Sequence, residues 1–134
     1  MRYLLDANIL SDLVRNPNGQ VAQNIRRVGE SQICTSIIVA AELRYGLEKK
    51  QSPKLMAQVT AVLDSIEIMP LEVPVDAVYG RLRAQLQKSG KVVGANDLLI
   101  ASHALVLGYT IVTDNQKEFK QVKGLRCENW LRPS

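Results

Sequence analysis

The sequence predicts an α/β protein, a three-layer α/β/α sandwich around a mostly parallel central sheet. Short apolar segments that fit buried strands alternate along the chain with longer segments that fit helices. The length of 134 residues suits a single domain that spans residues 1–134. With 46% hydrophobic and 22% charged residues, the composition is that of an ordinary globular protein, which excludes a globally disordered chain.

The first half of the chain contains two predicted strands, each followed by helical sequence. The strands cover residues 2–6 and 32–35, and the helices cover residues 8–14, 21–28, 37 to about 50, and 53 to about 65. The turn formed by residues 16–19 separates the first two helices. Ser36 is expected to cap the third helix, and Pro53 fits the first turn of the fourth because proline has no N–H to satisfy there.

The second half adds three strands and three helical segments. The strands cover residues 66–69, 109–113 and 125–128, the last as a short edge strand. The helical segments run from Pro74 to about residue 88, from Asn96 to Gly108, and over residues 118–122. A glycine-containing loop fills residues 89–95. Asn96 is the expected N-terminal cap of its helix, and Gly108 is the expected C-terminal glycine.

Composition and termini exclude several classes of protein. The longest apolar runs, at residues 37–41 and 98–101, are too short to cross a bilayer. Asp6 interrupts the N-terminal segment before a signal-peptide core can form. Cys34 and Cys127 show no CxxC or zinc-ligand spacing, so we expect a cytoplasmic protein with reduced thiols. The net charge of +4 is compatible with a polyanionic partner but does not establish one.

Two acidic residues stand in apolar surroundings where a solvated charge is not expected. Asp6 ends the first strand, between leucine pairs on one side and an apolar helix on the other. Glu42 lies inside the third helix, with Ile38, Val39 and Tyr45 as helical neighbours. A carboxylate on an apolar stripe loses hydration and needs a partner. Asp6 could otherwise serve the helix dipole, and Glu42 could form a buried structural salt bridge.

Further polar residues stand at the start of the predicted helix at residues 96–108 and at the end of the fourth predicted strand. Asp97 begins a helix, and Asp114 and Asn115 follow the fourth strand, although each could equally serve a helix terminus or a turn. Active sites of parallel sheets lie beyond the carboxyl ends of the strands, so these groups and Asp6 are expected to converge. Clustered carboxylates repel, and Mg²⁺ or Mn²⁺ with oxygen ligands removes that repulsion.

Other chemistries lack their residues. The chain has no GxSxG segment and no phosphate-binding P-loop. Its single histidine, His103, lies almost two helical turns beyond Asp97, which favours a packing or hydrogen-bonding role. A two-histidine ribonuclease mechanism is therefore excluded. The clustered acids instead favour metal-assisted hydrolysis of a phosphodiester.

Four segments in order resemble the PIN-domain superfamily, and within it the VapC-type toxins of bacterial toxin–antitoxin pairs. They are LDANI at residues 5–9, AEL at 41–43 with Gly46, NDLLIA at 96–101, and TDN at 113–115 with Phe119. The resemblance covers nearly the whole chain, through residues 128–130. It implies a PIN-like fold and a metal-dependent RNA endonuclease that inhibits translation by cutting structured RNA, often a tRNA.

The resemblance also assigns residues and partners. Asp6, Glu42 and Asp97 match the three acidic positions of the family. Asn115, preceded by Asp114, stands at a fourth position that is often Asp, and this leaves one or two metal ions open. Ala7 stands where the family commonly has Thr, so a hydroxyl that could orient Asp6 or contact the substrate is missing. The resemblance makes Asp6, Glu42 and Asp97 the expected metal ligands. The family forms homodimers, and a small VapB-like antitoxin neutralises the toxin.

Two other functions remain open from the sequence. One is a metal-dependent phosphohydrolase or DNA-directed nuclease that uses the same acids. The other is a catalytically silent PIN-like binding module, which the charge lost at Asn115 and the hydroxyl lost at Ala7 would favour. Cleavage of RNA but not DNA, and metal-dependent cleavage of any kind, would separate these functions.

Lysines and apolar side chains supply candidate binding surfaces. Lys88 and Lys91 precede Asp97, and Lys117, Lys120 and Lys123 follow Asp114 and Asn115, so both groups could hold RNA phosphates or simply face solvent. Apolar residues on the third and fourth helices could form an antitoxin groove or belong to the core. These residues are Ile37, Leu47, Leu55, Met56 and Val59.

Overall fold

The computed structural model describes residues 1–132 and contains one five-stranded sheet in which every strand pair is parallel. The strands are β1 (Tyr3–Leu5), β2 (Ile33–Ser36), β3 (Glu67–Met69), β4 (Thr110–Val112) and β5 (Cys127–Glu128). Their order across the sheet is β3-β2-β1-β4-β5. The predicted parallel sheet is confirmed, including the short strand β5 at its edge.

Seven α-helices connect or follow the strands in the part of the chain that the structure describes. They are α1 (Ala7–Arg15), α2 (Gln20–Val28), α3 (Ile37–Lys50), α4 (Pro53–Asp64), α5 (Val75–Lys88), α6 (Ala95–Leu107) and α7 (Gln116–Phe119). A 3₁₀ turn at Glu30–Gln32 precedes β2. None of the helices within residues 1–132 combines the length and the apolar character that a membrane crossing requires.

The strand order divides the helices into two layers. The chain moves outward from β1 to β2 to β3, then returns to β4 and moves outward to β5 on the other side. Because crossovers between parallel strands are right-handed, the helices of these two halves cover opposite faces of the sheet. Most helix contacts agree, since α1 packs against α2, α3 and α4, while α6 packs against α5 and α7. In addition, α3 contacts α6 across the two layers. The switch point lies between β1 and β4, where ligand sites of such sheets form.

Local capping explains most of the helix boundaries. The Ser36 hydroxyl accepts a hydrogen bond from the Ile38 amide at 3.0 Å and caps α3 as predicted. Pro53 is the first residue of α4, and Gly108 ends α6 with a φ of 73°. The prediction that Asn96 caps α6 is wrong. The helix begins one residue earlier, at Ala95, and Gly94 precedes it without a side-chain cap.

The core includes the central strands together with buried side chains of α1, α3, α4, α5 and α6. Leu4, Leu5, Ile111 and Val112 on β1 and β4 are fully buried, and α6 is buried along its whole middle section. His103 on α6 is among the buried residues, and its Nδ1 lies 2.9 Å from the Ser36 hydroxyl. The predicted packing and hydrogen-bonding role of His103 is therefore confirmed. Cys34 and Cys127 are free thiols, as expected.

Candidate active site

Asp6 occupies the switch point of the sheet and is 5% exposed. It directly follows β1 and precedes α1, and its Oδ1 accepts a hydrogen bond from the Ala7 amide at 2.8 Å. Its Oδ2 accepts a hydrogen bond from the Thr113 hydroxyl, also at 2.8 Å. Thr113 directly follows β4, so donors from both central strand ends fix the carboxylate. Thr113 thereby supplies a hydroxyl to Asp6 although Ala7 has none.

Asn8 and Thr113 fasten the loop after β4 to the start of α1. The Asn8 side-chain oxygen accepts a hydrogen bond from the Asp114 amide at 3.1 Å. The Thr113 hydroxyl oxygen accepts one from the Asn115 amide at 3.0 Å. These bonds join residues more than 100 positions apart or close a turn within the loop. The loop that carries Asn115 is therefore held rigidly beside Asp6.

Asn115 bridges two carboxylates. Its side-chain nitrogen donates to Asp97 Oδ2 at 3.1 Å and to Glu118 Oε2 at 2.8 Å. The other oxygen of Glu118 accepts a hydrogen bond from the Gly94 amide, just before α6. An ionised aspartate at position 115 could not donate these bonds and would add a third negative charge. Asn115 thus allows Asp97 and Glu118 to lie close together.

Burial and neighbouring negative charges shift the pKa values of the clustered carboxyl groups. Burial raises the pKa of Asp97 to about 6, and the negative charges of Asp6 and Glu118 add to the rise. Burial also raises the pKa of Asp6, which the hydrogen bonds from Thr113 and Ala7 partly oppose. The Gly94 amide and the Asn115 side chain lower the pKa of Glu118. Of the two carboxyl groups, Asp97 is therefore the easier to protonate.

Glu42 reaches the same cluster from α3. Burial raises its pKa, and the charge of Asp6 raises it further, so the two carboxylates lie within electrostatic reach. The oxygen Oε1 of Glu42 is buried and has no hydrogen-bond partner among residues 1–132. A buried acceptor without a partner is costly, and a bound cation or an ordered water would satisfy it.

The site has negative charge without compensation from the protein. Among residues 1–132, no Lys or Arg forms an ion pair with Asp6, Glu42, Asp97 or Glu118. Within the same range, no three acidic, histidine or cysteine side chains are placed to ligate one ion directly. Mg²⁺ commonly binds through one or two carboxylates and keeps several waters. The donor set therefore fits a hydrated divalent cation with Asp6, Asp97 and Glu42 as its oxygen ligands, some of them through water.

Asp114 lies apart from this cluster. Its carboxylate accepts a hydrogen bond from the Asn129 side chain at 2.9 Å and lies 3.5 Å from the Arg132 guanidinium. The structure thus brings Asp6, Glu42, Asp97 and Asn115 together and directs the Asp114 side chain to the C-terminal segment. A catalytic role for Asp114 remains a prediction.

The predicted RNA-binding lysines fall into two groups. Lys88, Lys91 and Lys123 line a cleft of about 380 Å³ between the end of α5 and the segment after α7. Lys117 lies on α7 and Lys120 directly follows it, and both side chains are exposed. All five lysines are free of ion pairs with residues 1–132.

The predicted antitoxin groove is only partly available. Leu47 and Val59 are 5% and 7% exposed and belong to the core, so they are not free to bind a partner. Ile37 and Met56 are 44% and 40% exposed, and Leu55 is half-buried. Tyr45 on α3, which the sequence did not single out for this surface, is 65% exposed.

Sequence reasoning missed Glu118 as a member of the site and Thr113 as the hydroxyl that orients Asp6. Glu118 was expected only within a helical turn, which the structure places two residues earlier, at Gln116–Phe119. The available signal was its position three residues after Asn115, because side chains at that spacing meet on a helical turn.

The chain is similar to known proteins over nearly its whole length. The PIN domain family model matches residues 3–125. Ribonuclease VapC2 of Rickettsia felis is 37% identical over 132 residues, which are 97% of this chain and 98% of the relative. The tRNA(fMet)-specific endonuclease VapC of Shigella flexneri is 33% identical over 131 residues, which are 97% and 98% of the two chains.

Solved structures show the same fold. The crystal structure of VapBC2 from Rickettsia felis, bound to a DNA fragment from its promoter, contains a chain that matches with a TM-score of 0.90 and 36% identity. The match covers 97% of this chain and 99% of that one. DNA-bound VapBC from Salmonella typhimurium matches with a TM-score of 0.89 and 30% identity, over 97% and 98% of the chains.

Proposed function

Because the chain belongs to the PIN-domain family, with VapC ribonucleases as relatives over nearly its whole length, we propose that it is the toxin of a VapBC-type pair. In this role it is a Mg²⁺- or Mn²⁺-dependent endoribonuclease that cuts structured RNA, with tRNA as the substrate class, and so inhibits translation. The supporting observation is the cluster of Asp6, Glu42, Asp97 and Glu118, with which no Lys or Arg among residues 1–132 forms an ion pair.

The chain's own residues would position the metal and the water. When bound, a divalent cation supplies the positive charge that activates water and stabilises the phosphorane-like transition state. Asp6, held by the Ala7 amide and the Thr113 hydroxyl, and Asp97, held by Asn115, present fixed oxygens to that charge. Glu42 has a raised pKa and an unpartnered oxygen, which suit it to orient a water and accept its proton.

Cleavage of purified tRNA tests this proposal. We expect the wild-type protein to cut tRNA in Mg²⁺ or Mn²⁺ and to lose activity in EDTA. Asp6→Asn and Asp97→Asn keep the side-chain shape but remove a charged ligand, so each should reduce the cleavage rate by about 100-fold or more. Asp64→Asn, an exposed acid at the end of α4, is the matched control and should cleave at the wild-type rate.

The same assay decides between this function and the alternatives. Cleavage of DNA at a rate equal to that of RNA would favour the DNA-directed nuclease. Absence of cleavage in both metals, with a folded protein, would favour the silent binding module. Wild-type activity in Asp97→Asn at saturating Mg²⁺ would overturn the site assignment.

We also propose a small VapB-like antitoxin as the partner, a homodimer as the toxin's own state and the cytoplasm as the place where it meets tRNA. The partner is supported by the solved VapBC structures that the chain matches. The exposed apolar side chains Ile37, Tyr45 and Met56 on α3 and α4 are a candidate docking surface. Co-expression with the neighbouring gene should abolish toxicity and yield a stable complex. Absence of a complex in a pull-down would overturn the proposed antitoxin partner but not the proposed nuclease activity.

A further inference from the structure

A second cleft, of about 560 Å³, lies between α2 and the C-terminal segment. Its lining is unusual because side-chain amides dominate it. They belong to Gln20, Gln23, Asn24, Gln116 and Asn129. Two guanidinium groups, from Arg27 and Arg132, complete the polar wall. The cleft therefore offers many neutral hydrogen-bonding groups and two positive charges.

The cleft adjoins the acidic cluster. The Asn129 amide donates a hydrogen bond at 2.9 Å to Asp114, whose side chain faces the cleft wall while its backbone directly follows Thr113, the residue that orients Asp6. Gln116 begins α7 directly after Asn115. Burial raises the pKa of Cys127 in the cleft wall, and the charge of Asp6 adds to the rise, which puts the two within electrostatic reach. One ligand could therefore contact both the cleft and the acidic cluster.

Only part of the polar wall is free to bind a ligand. The Asn24 side-chain amide donates to the Gln20 carbonyl, and the Asn129 side-chain amide donates to Asp114 and accepts from the Leu131 amide. The amides of Gln20 and Gln23 have no side-chain hydrogen bond to any part of the chain within residues 1–132 and are exposed. The Asn24 side-chain oxygen accepts hydrogen bonds from Nε and Nη2 of Arg27, at 3.2 and 2.9 Å, and so fixes the guanidinium. The remaining N–H groups of Arg27 stay available to a ligand. The one carboxylate in the wall, Glu128, accepts a hydrogen bond from the Trp130 indole at 2.9 Å.

We propose that this cleft is a nucleotide-recognition subsite, which binds an RNA base beside the scissile phosphate. The inference rests on the proposed ribonuclease function and adds the part of the site that selects the sequence. The free amides of Gln20 and Gln23 carry a donor and an acceptor side by side, the arrangement that pairs with the edge of a base. Arg27 supplies a phosphate contact. An amphipathic antitoxin helix requires an apolar groove instead, and this wall is polar.

The experiment compares Gln23→Ala and Arg27→Ala with two matched controls. Arg26→Ala removes the neighbouring arginine of the same helix, which lines a different surface depression, and Gln58→Ala removes an exposed amide on α4. Binding selectivity is measured with a pool of RNA hairpins of randomised loops, in an Asp97→Asn background that does not cut them. Hydrolysis of bis(p-nitrophenyl) phosphate in Mn²⁺, which needs no base contact, is measured with Asp97 intact.

We expect Gln23→Ala to weaken the preference for one base at one loop position by about 10-fold. Arg27→Ala should weaken binding to all loops several-fold without changing the preference, because phosphate contacts carry no sequence information. Both variants should hydrolyse the small diester within twofold of wild type, and both controls should bind as the parent does. Unchanged selectivity and affinity in both variants would overturn the inference.

The binding and hydrolysis measurements test the nucleotide-recognition subsite and the proposed ribonuclease function separately. Failure of the wild-type protein to hydrolyse the diester counts against the nuclease, while the selectivity of binding still decides the role of the cleft. Loss of antitoxin binding in Gln23→Ala and Arg27→Ala, with unchanged RNA selectivity, would assign the cleft to the antitoxin and overturn the inference.

Discussion

Single residues determine how the four carboxylates tolerate one another. Asp6 accepts two hydrogen bonds, from residues that follow the carboxyl ends of β1 and β4, whereas Glu42 has an oxygen without a partner. Asn115 donates to both Asp97 and Glu118 and so replaces a repulsive contact with two attractive ones. The chemistry of this site therefore depends on neutral donors as much as on the acids.

Glu118 is expected to act as a positioning residue. Glu118→Gln removes one negative charge beside Asp97 while keeping an oxygen that can accept from the Gly94 amide. We expect the Mn²⁺ concentration for half-maximal cleavage to rise about 10-fold, because the variant site carries less negative charge and attracts the cation less strongly. Asp114→Asn should change this concentration less than twofold, since Asp114 faces Asn129 and Arg132. Equal effects of the two substitutions would contradict the placement of Glu118.

His103 gives the fold a measurable pH dependence. Burial lowers the pKa of His103 below its ordinary value of 6.5. As the pH falls through 6.5, the unfolded chain binds a proton that the folded chain does not, so this residue decreases the free energy of unfolding. His103→Gln should remove that decrease, as measured by urea unfolding at pH 7.5, 6.5 and 5.5 in EDTA.

Asp97 contributes with the opposite sign in the same titration. Its pKa in the folded protein is about 6, so the folded state gains stability as the pH falls below 6. For this reason the effect of His103 is taken as the difference between wild type and His103→Gln, which share the acidic cluster. A difference that does not grow between pH 6.5 and pH 5.5 would show that His103 titrates alike in both states.

At the scale of elements, the site is assembled from strand ends and helix starts. Asp6 lies between β1 and α1, Thr113 follows β4, and Asp97 lies in the first turn of α6. Because parallel strands place their carboxyl ends at one edge, elements far apart in the chain deliver their polar residues to one place. The loop between α5 and α6 meets the cluster where the Gly94 amide donates to Glu118, and Gln121 after α7 donates to the Val92 carbonyl in that loop. We call these two segments the rim.

The lysines of this rim should contribute to RNA binding through charge. Lys88→Gln with Lys91→Gln should weaken binding to many RNA sequences and flatten the dependence of log affinity on log salt by about one to two units. The choice of cleavage site should change little. Lys50→Gln with Lys54→Gln, at the junction of α3 and α4, is the matched control. An unchanged salt slope in the first pair would assign those lysines to solvent.

At the scale of the whole molecule, the acidic cluster opposes folding unless a cation is bound. We expect millimolar Mn²⁺ to raise the melting temperature relative to EDTA. A ligand at 100 times its Kd stabilises by about 2.7 kcal/mol, which corresponds to roughly 8 °C for a domain of this size. Asp97→Asn should raise the melting temperature in EDTA, because it relieves repulsion, and should lose most of the shift with Mn²⁺. Calorimetry without Mn²⁺ heat and a wild-type melting curve unmoved by the metal would exclude this site.

The sequence by itself determined the elements and the principal acids. Buried parallel strands require short apolar runs, and helices require caps and apolar periodicity, so the alternation and the order of elements are local properties. Asp6 and Glu42 were recognisable because each stands in an apolar segment, where an unpaired charge is costly to bury. Capping at Ser36 and the ending at Gly108 were likewise local.

Only the tertiary structure decided which polar groups meet. Thr113 donates to Asp6 across 107 positions of sequence, and Glu118 accepts from the Gly94 amide across 24. Asp114 and Asn115 are adjacent in sequence, yet one faces Arg132 and the other bridges Asp97 and Glu118. Such pairings follow from strand order and from the packing of distant elements, which no local pattern of residues encodes.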